Sequence, residues 1–276
     1  MKKTYFLLAF LIMIAPARGH DFVDARINSV SRAITKSPLD GNLYIKRGIL
    51  FIEAKHYDKA KEDFKKARSH QEDLHAQFYL SQIAYLEHKY AKAEKDTLSL
   101  LSKKPDNKLK ASLYRQLIAI YMNSKNIDKA INASKKFMQE MPSSIKNDDY
   151  SILINLLIKS KSNKKALDLL DQAVDKFGER SLFVNKRIEL NVSLKHYNKA
   201  LEDVENLIVF KHRLPYLYME KGKILIESAR PKEALKSFKK ALSLVDKLSQ
   251  TKQKIPAVSE LKIKLGRYIS NLRLKK

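Results

Sequence analysis

The sequence predicts an all-α protein built from repeated helical hairpins. Glycine and proline are scarce, at 6 and 7 of 276 residues, which disfavours an all-β fold with its many turns. Hydrophobic residues make up 44% of the chain, more than a disordered protein holds. The third observation is a pattern that recurs about every 34 residues, and a period of that length is typical of stacked helical repeats.

The repeat is clearest when two distant segments are compared. Residues 43–67 align without a gap with residues 217–241. The matched positions include Tyr44, Gly48, Ala60, Phe64 and Ala67, which correspond to Tyr218, Gly222, Ala234, Phe238 and Ala241. A recurring alanine marks six copies in steps of 33 to 37 residues, at Ala60, Ala93, Ala130, Ala166, Ala200 and Ala234. Chance rarely keeps such a period through six copies, so the pattern predicts six similar units.

The repeated pattern resembles the tetratricopeptide repeat, a helix–turn–helix unit of about 34 residues. That family has small and aromatic residues at fixed positions, and the first unit supplies them with Tyr44, Gly48, Phe51, Ala60, Phe64 and Ala67. The middle units keep fewer of these residues. The resemblance implies an all-α, right-handed superhelical solenoid with six tetratricopeptide repeats over residues 41–244.

Both ends of the repeat array have patterns typical of terminal capping helices. Residues 20–40 carry an apolar stripe at helical spacing, which predicts an N-terminal capping helix. Residues 245–276 carry a second such stripe. From Lys247 to Lys276 there are nine basic residues and one acidic residue, so this C-terminal capping helix is predicted to be basic.

The first 19 residues are predicted to be a cleavable signal peptide. Lys2 and Lys3 give a positive start, residues 5–15 form an uncharged apolar run, and small residues follow at Ala17 and Gly19. Cleavage after either small residue fits the pattern. An uncleaved membrane anchor is the alternative, but the run is shorter than the about 20 apolar residues of a spanning helix. We therefore expect a periplasmic or secreted protein.

The chain is strongly basic, with 55 Lys and Arg residues against 30 Asp and Glu residues and a formal net charge of +25. Outside the cytoplasm, such a charge favours anionic lipid, acidic polymers or acidic proteins as partners over nucleic acid. One alternative function is therefore an electrostatic binder of an anionic envelope polymer or membrane surface, acting through the basic helices and tail.

The sequence contains no recognisable catalytic constellation. It has no Cys, no HExxH motif, no Gly-rich phosphate loop and no GxSxG motif. We therefore expect a protein that is not an enzyme and uses no cofactor. One remote metal-binding hypothesis concerns His20, because cleavage after Gly19 would place its amine and imidazole together at the N-terminus, where they can chelate Cu(II).

The leading hypothesis is an exported scaffold or adaptor that binds a protein partner in a concave groove. The resemblance implies that the first helix of each repeat lines this groove. The implied partner-binding residues are Ile45, Ile49, Phe78, Gln82, Tyr85, Arg115, Met122, Asn155, Asn185, Tyr216, Met219 and Lys223. The aromatic side chains among them suit the anchoring of a protein segment. The identity of the partner and the oligomeric state stay open.

Overall fold

A computed structural model describes residues 18–70, 73–178, 182–210 and 213–274. Within these ranges every regular element is a helix, which confirms the predicted all-α fold. The predicted signal peptide lies outside the described residues up to residue 17. Among the described helices, none is both long enough and apolar enough to cross a membrane. The chain divides into two compact units, residues 1–145 and 146–276.

Unit 1 contains three helical hairpins that follow a leading helix. Its helices are α1 (Arg18–Lys36), α2 (Gly41–Glu53), α3 (Tyr57–Ser69), α4 (Asp73–Leu86), α5 (Tyr90–Ser102), α6 (Asn107–Asn123) and α7 (Ile127–Glu140). A 3₁₀ turn follows at Pro142–Ser144. Each helix packs on the next along the chain, and α4 also contacts α2 and α6. We call the pairs α2–α3, α4–α5 and α6–α7 repeats 1, 2 and 3.

Unit 2 contains three further hairpins and a closing helix. Its helices are α8 (Asn147–Lys159), α9 (Asn163–Phe177), α10 (Leu182–Ser193), α11 (Tyr197–Val209), α12 (Leu214–Glu227), α13 (Pro231–Asp246), α14 (Gln250–Gln253) and α15 (Pro256–Leu274). Helices α8 to α13 pack in sequence, and α15 packs on α13. The pairs α8–α9, α10–α11 and α12–α13 are repeats 4, 5 and 6.

All six hairpins turn through the same backbone conformation. The residue two before each second helix has a positive φ of 58–61°, and these residues are Lys55, His88, Lys125, Lys161, Lys195 and Ala229. In repeat 1 the next N–H, that of His56, donates to the carbonyl of Phe51 at 2.7 Å. This arrangement is a Schellman motif, which usually has glycine at the left-handed position. Here residues with a Cβ occupy that position, so each turn carries backbone strain.

Repeats 1 and 6 share a close contact between their two helices. A Cβ on Gly48 would lie 2.5 Å from the ring of Phe64, so glycine is what allows α2 to approach α3 this closely. A Cβ on Gly222 would lie at the same 2.5 Å from the ring of Phe238. Both phenylalanine rings are fully buried. The small residue and the ring therefore fix the spacing of the helix pair.

A tyrosine from a later helix covers each of these two rings. Tyr79 of α4 stacks on Phe64 with ring centroids 5.2 Å apart. Tyr268 of α15 stacks on Phe238 with ring centroids 4.7 Å apart. Helix α15 therefore covers repeat 6 in the way that the first helix of repeat 2 covers repeat 1.

Repeat 1 also contains a buried ion pair. Arg47 of α2 donates from Nε and Nη2 to the two carboxylate oxygens of Asp63 in α3, at 2.8 and 2.7 Å. Its Nη1 donates to the hydroxyl of Ser31 in α1 at 3.1 Å. Asp63 is 2% exposed, and the hydrogen bonds to it raise the pKa of Arg47. One guanidinium thus joins three consecutive helices.

Candidate protein-binding surfaces

Helix α4 carries three of the predicted groove residues on one face. Phe78, Gln82 and Tyr85 follow each other at spacings of four and three residues, which places them on the same side of a helix. All three side chains are half-buried. The other side of α4 holds Ala76 and Ile83, which are fully buried. Because α4 contacts α2 and α6, the first helices of repeats 1 to 3 lie side by side.

The two aromatic side chains of this face also hold neighbouring helices together. The ring of Phe78 packs against a buried leucine cluster formed by α5 and α6. The ring of Tyr85 lies 5.9 Å from that of Tyr90, and its hydroxyl accepts a hydrogen bond from Nδ2 of Asn123 at 2.8 Å. Burial raises the pKa of Tyr85. Each ring therefore leaves only part of its surface to a partner.

On α2 the structure separates the two predicted isoleucines. Ile49 is half-buried at the edge of the unit 1 core. Ile45 is 8% exposed and belongs to the same core cluster as Ile34 of α1. The expectation that Ile45 lines a groove is therefore corrected, because α1 packs on α2 and brings Ile45 into the core.

On α6 the two predicted residues differ in how accessible they are. Nη2 of Arg115 donates to the carbonyl of Ser144 at 2.7 Å, and the guanidinium lies 5.0 Å from the ring centroid of Phe137. These contacts tie Arg115 to the end of unit 1. Met122 is 37% exposed, although its side chain is apolar. Met122 is therefore the more available of the two.

The predicted residues of unit 2 lie on its first helices. Asn155 of α8 and Asn185 of α10 are exposed. The half-buried members of the set all belong to α12, and they are Tyr216, Met219 and Lys223. The hydroxyl of Tyr216 donates to the carbonyl of Ala257 at 3.4 Å. This part of the predicted set is more polar than the part in unit 1.

A depression in unit 1 escaped the sequence analysis. It lies between the second helices α5 and α7, and α6 contributes to its floor. The lining residues are Leu98, Leu101, Ser102, Lys110, Tyr114, Leu117, Tyr121, Lys129, Asn132, Ala133, Lys136 and Glu140. Leu98 is 44% exposed. Leu98 follows the buried Thr97 and lies on the outward side of α5.

Ion pairs at the rim of this depression balance much of its charge. Lys110 contacts Glu140 at 2.7 Å, and Lys129 contacts Glu94 at 2.8 Å. These contacts hold the pKa values of both glutamates below their usual range. Burial, together with the 2.9 Å hydrogen bond that its hydroxyl donates to Glu94, raises the pKa of Tyr121 to about 12. The depression therefore combines an apolar floor with a rim whose charges already have partners.

No metal site emerges from the part of the chain that the structure describes. Within those ranges, no three His, Asp or Glu side chains form a group that could hold a metal ion. The Cu(II) hypothesis concerns His20, whose side chain lies outside the described set. That hypothesis therefore stays a prediction.

Comparison with known families identifies the repeated unit. A family model described as a tetratricopeptide repeat matches residues 215–244, which cover most of repeat 6. Repeat 6 is therefore similar to a tetratricopeptide repeat. A curated tetratricopeptide-repeat-containing protein of Rhizobium etli is 27% identical over 136 residues, which are 47% of this chain and 64% of that protein. The match thus spans slightly less than two thirds of the relative's length.

A solved structure of a tetratricopeptide repeat protein confirms the predicted helical solenoid. The C-terminal part of one such protein from Cytophaga hutchinsonii has a TM-score of 0.58 and 14% identity, over 84% of this chain and 94% of that one. PilF of Pseudomonas aeruginosa has a TM-score of 0.51 and 14% identity, over 76% and 91% of the two chains. At these identities the likeness shows the fold alone. Tetratricopeptide repeat proteins are typically non-enzymatic scaffolds that bind other proteins.

Proposed function

We propose that the protein is an exported, non-enzymatic scaffold that holds a protein partner on the first helices of unit 1. The observation that carries the proposal is the row formed by α2, α4 and α6, where Ile49, Phe78 and Met122 offer apolar surface. Aliphatic and aromatic side chains of this kind anchor protein segments. The typical role of tetratricopeptide repeat proteins supports the same function.

The face of α4 indicates what kind of segment it would take. Gln82 lies between Phe78 and Tyr85, and its amide can both donate and accept hydrogen bonds. A matching segment would place one apolar side chain against each ring and offer a peptide group to the amide between them. Because no charged side chain is central to this contact, binding should depend only weakly on salt.

Photocrosslinking from single positions tests this location. A photoreactive phenylalanine analogue replaces Gln82 on α4 or, separately, the exposed Met122 on α6. The matched control position is Asn132, which is exposed on α7 beside the depression. We expect one discrete crosslinked protein from positions 82 and 122, retained at about 0.5 M salt, where exposed charge attractions are largely screened.

The two other outcomes each decide against the proposed surface. A crosslink from position 132 alone would move the partner to the depression between α5 and α7. Absence of a crosslink from all three positions, with protein purified from its own envelope, would contradict a partner bound to unit 1.

Export is a separate part of the proposal and is supported by the sequence of residues 1–19. N-terminal sequencing of the protein from fractionated cells tests it. A mature chain that begins at residue 18 or 20 in the envelope or medium is expected. A chain that retains Met1 in the cytoplasmic fraction would contradict export, and a start at residue 18 would remove the basis of the Cu(II) hypothesis.

A further inference from the structure

The C-terminal sixth of the chain carries a large share of the positive charge. Residues 231–276 contain thirteen Lys and Arg residues against three acidic residues, hence ten of the formal net charge of +25. Within the described part of this segment, every Lys and Arg side chain is exposed. A surface of this charge attracts anionic structures of any kind. The uncharged side chains of this surface therefore decide which anionic structure it favours.

Helix α15 places an aliphatic side chain in the middle of this basic surface. Its inward side chains include Leu261 and Leu265, which are 3% and 0% exposed. Ile263 lies two residues from each of them, hence on the opposite side of the helix, and it is 57% exposed. Lys262 and Lys264 are one residue away and flank it on either side. On the outward face of α15, the exposed side chain of Ile263 thus lies between the ammonium groups of Lys262 and Lys264.

A second exposed isoleucine lies beside the first turn of α15. Ile255 is 48% exposed and immediately precedes Pro256. Pro256 lies seven residues, or about two turns, before Ile263, so Pro256 and Ile263 share a helix face. Ile255 adjoins Pro256 and therefore lies at the N-terminal end of that face. Lys252 and Lys254 next to Ile255 are exposed as well. Two aliphatic side chains therefore accompany the cations of this end of the protein.

We propose that this outer surface of α14 and α15 binds an anionic phospholipid membrane, with Ile255 and Ile263 entering the interface. Amphipathic helices bind membranes in this way, through buried apolar area and attraction to anionic lipid. The long lysine stems let their ammonium groups stay at the headgroups while the isoleucines lie deeper. A soluble polyanion or nucleic acid would gain from the same cations but not from two aliphatic side chains, because its contacts are to phosphates.

The repeat array holds this surface in place. Leu265 and Ile269 of α15 are buried, and Tyr268 stacks on Phe238 of α13. The ion pairs of Lys262 with Asp246 at 2.7 Å and of Lys264 with Glu260 at 2.8 Å are exposed and so contribute little. Both lysines can therefore exchange these partners for lipid headgroups. The inference is independent of the proposed protein-binding row, which lies on unit 1.

Vesicle sedimentation with the mature protein tests the inference. The vesicles are phosphatidylcholine alone or phosphatidylcholine with about 30% phosphatidylglycerol, an anionic lipid. We expect binding to the anionic vesicles only. Ile255→Ser combined with Ile263→Ser keeps the net charge and should lower binding about fivefold, since apolar area leaves the interface. The matched control is Leu98→Ser, which changes a 44% exposed leucine on α5 and should leave binding unchanged.

A pair of charge variants tests the place of contact. Lys254→Glu with Arg267→Glu changes cations near the isoleucines and should lower binding at least about tenfold. Lys164→Glu with Lys165→Glu on α9 makes the same change in net charge at another exposed site and should have little effect. All these side chains are exposed, and circular dichroism would verify that each variant keeps its helix content.

Three results would overturn the inference. The first is failure of the mature protein to bind anionic vesicles. The second is an equal loss from both charge pairs, which would mean that net charge alone acts. The third is binding that the serine pair leaves unchanged, which would point to a soluble polyanion as the ligand.

Discussion

Repeats 1 and 6 share their apolar contact and differ in the polar contact beside it. Both place a glycine of the first helix against a buried phenylalanine, and a tyrosine covers each ring. Arg47 and Asp63 of repeat 1 correspond to Lys221 and Ser237 of repeat 6. Lys221 pairs with Glu205 of α11 at 2.8 Å. Repeats 1 and 6 thus share the apolar contact but not the polar one, which recurs instead in repeat 5, where Arg187 donates to both carboxylate oxygens of Asp203.

Arg47 and Lys221 both link the first helix of their repeat to the preceding helix. Arg47 reaches back to Ser31 of α1, and Lys221 reaches back to Glu205 of α11, in both cases to the preceding helix. Arginine has a planar fork of five donors and can hold Asp63 at the same time, whereas the single ammonium of lysine is a point charge. The comparison teaches that helix α1 takes the place of a second helix before repeat 1.

The largest effects are expected where the two repeats agree. Phe64→Ala and Phe238→Ala should each destabilise the local helix pair by about 3–5 kcal/mol, because each removes a fully buried ring and leaves a cavity. Hydrogen exchange measured by mass spectrometry would report the loss for each helix. Phe64→Ala should accelerate exchange in α2 and α3 and leave α12 and α13 unchanged. Equal acceleration in both pairs would mean that the chain unfolds as one unit.

The next largest effect should separate the two repeats. Asp63→Ala leaves the guanidinium of Arg47 without its buried carboxylate and should cost about 3 kcal/mol. Ser237→Ala, at the corresponding position, should cost less than about 1 kcal/mol, because it removes one neutral hydroxyl. Urea unfolding of both variants would measure the difference. Similar losses would contradict the distinct role of the ion pair.

A smaller effect of opposite sign is expected in the turns. Lys55→Gly in repeat 1 and Ala229→Gly in repeat 6 should each stabilise the protein by about 0.5–1 kcal/mol. The left-handed conformation costs a residue with a Cβ about 1–2 kcal/mol, and glycine removes this strain. Part of the stabilisation is offset because glycine loses more backbone entropy on folding. Thermal unfolding of the single variants would show a raised midpoint. A lowered midpoint would show that the lysine or alanine side chain contributes a contact.

The smallest effect concerns repeat 3, whose first helix carries Tyr121, a buried ring with the hydroxyl group that Phe64 and Phe238 lack. The pKa of Tyr121 is raised to about 12, mainly by burial, against about 10 in an unfolded chain. Its contribution to stability is therefore complete below pH 10 and is lost as the pH rises towards 12. At pH 10.5 the loss should be below about 1 kcal/mol.

Urea unfolding between pH 8 and 11 would measure this alkaline loss. In Tyr121→Phe the decline above pH 10 should be shallower than in the natural protein, since the ionising hydroxyl is gone. An identical decline would assign the effect to other tyrosines, such as Tyr114, whose pKa burial also raises.

The repeat period was enough to predict the hairpins, because Gly48 and Phe64 recur as Gly222 and Phe238 and their contact lies within one unit. The accessibility of single side chains could not be predicted in the same way. Ile45 is buried by α1, a helix outside the repeat pattern. The depression near Leu98 depends on the spacing of two second helices, which no local sequence pattern encodes.

The turns were hidden for a different reason. A left-handed residue is usually recognised in a sequence by glycine or asparagine. Lysine at Lys55 or Lys195 has no such preference, so the repeated geometry became visible only in the backbone angles. The functions of Phe78 and Tyr85 between helices were likewise beyond a pattern that considers one helix at a time.

The stacking of Tyr268 on Phe238 also bears on assembly. Without α15, repeat 6 would present an uncovered face of the kind on which repeat 1 receives α4. A second copy of the chain could dock its leading end there, and such head-to-tail contacts do not close on themselves but propagate into filaments. By occupying that face, α15 covers the surface of repeat 6 on which a second copy would otherwise dock.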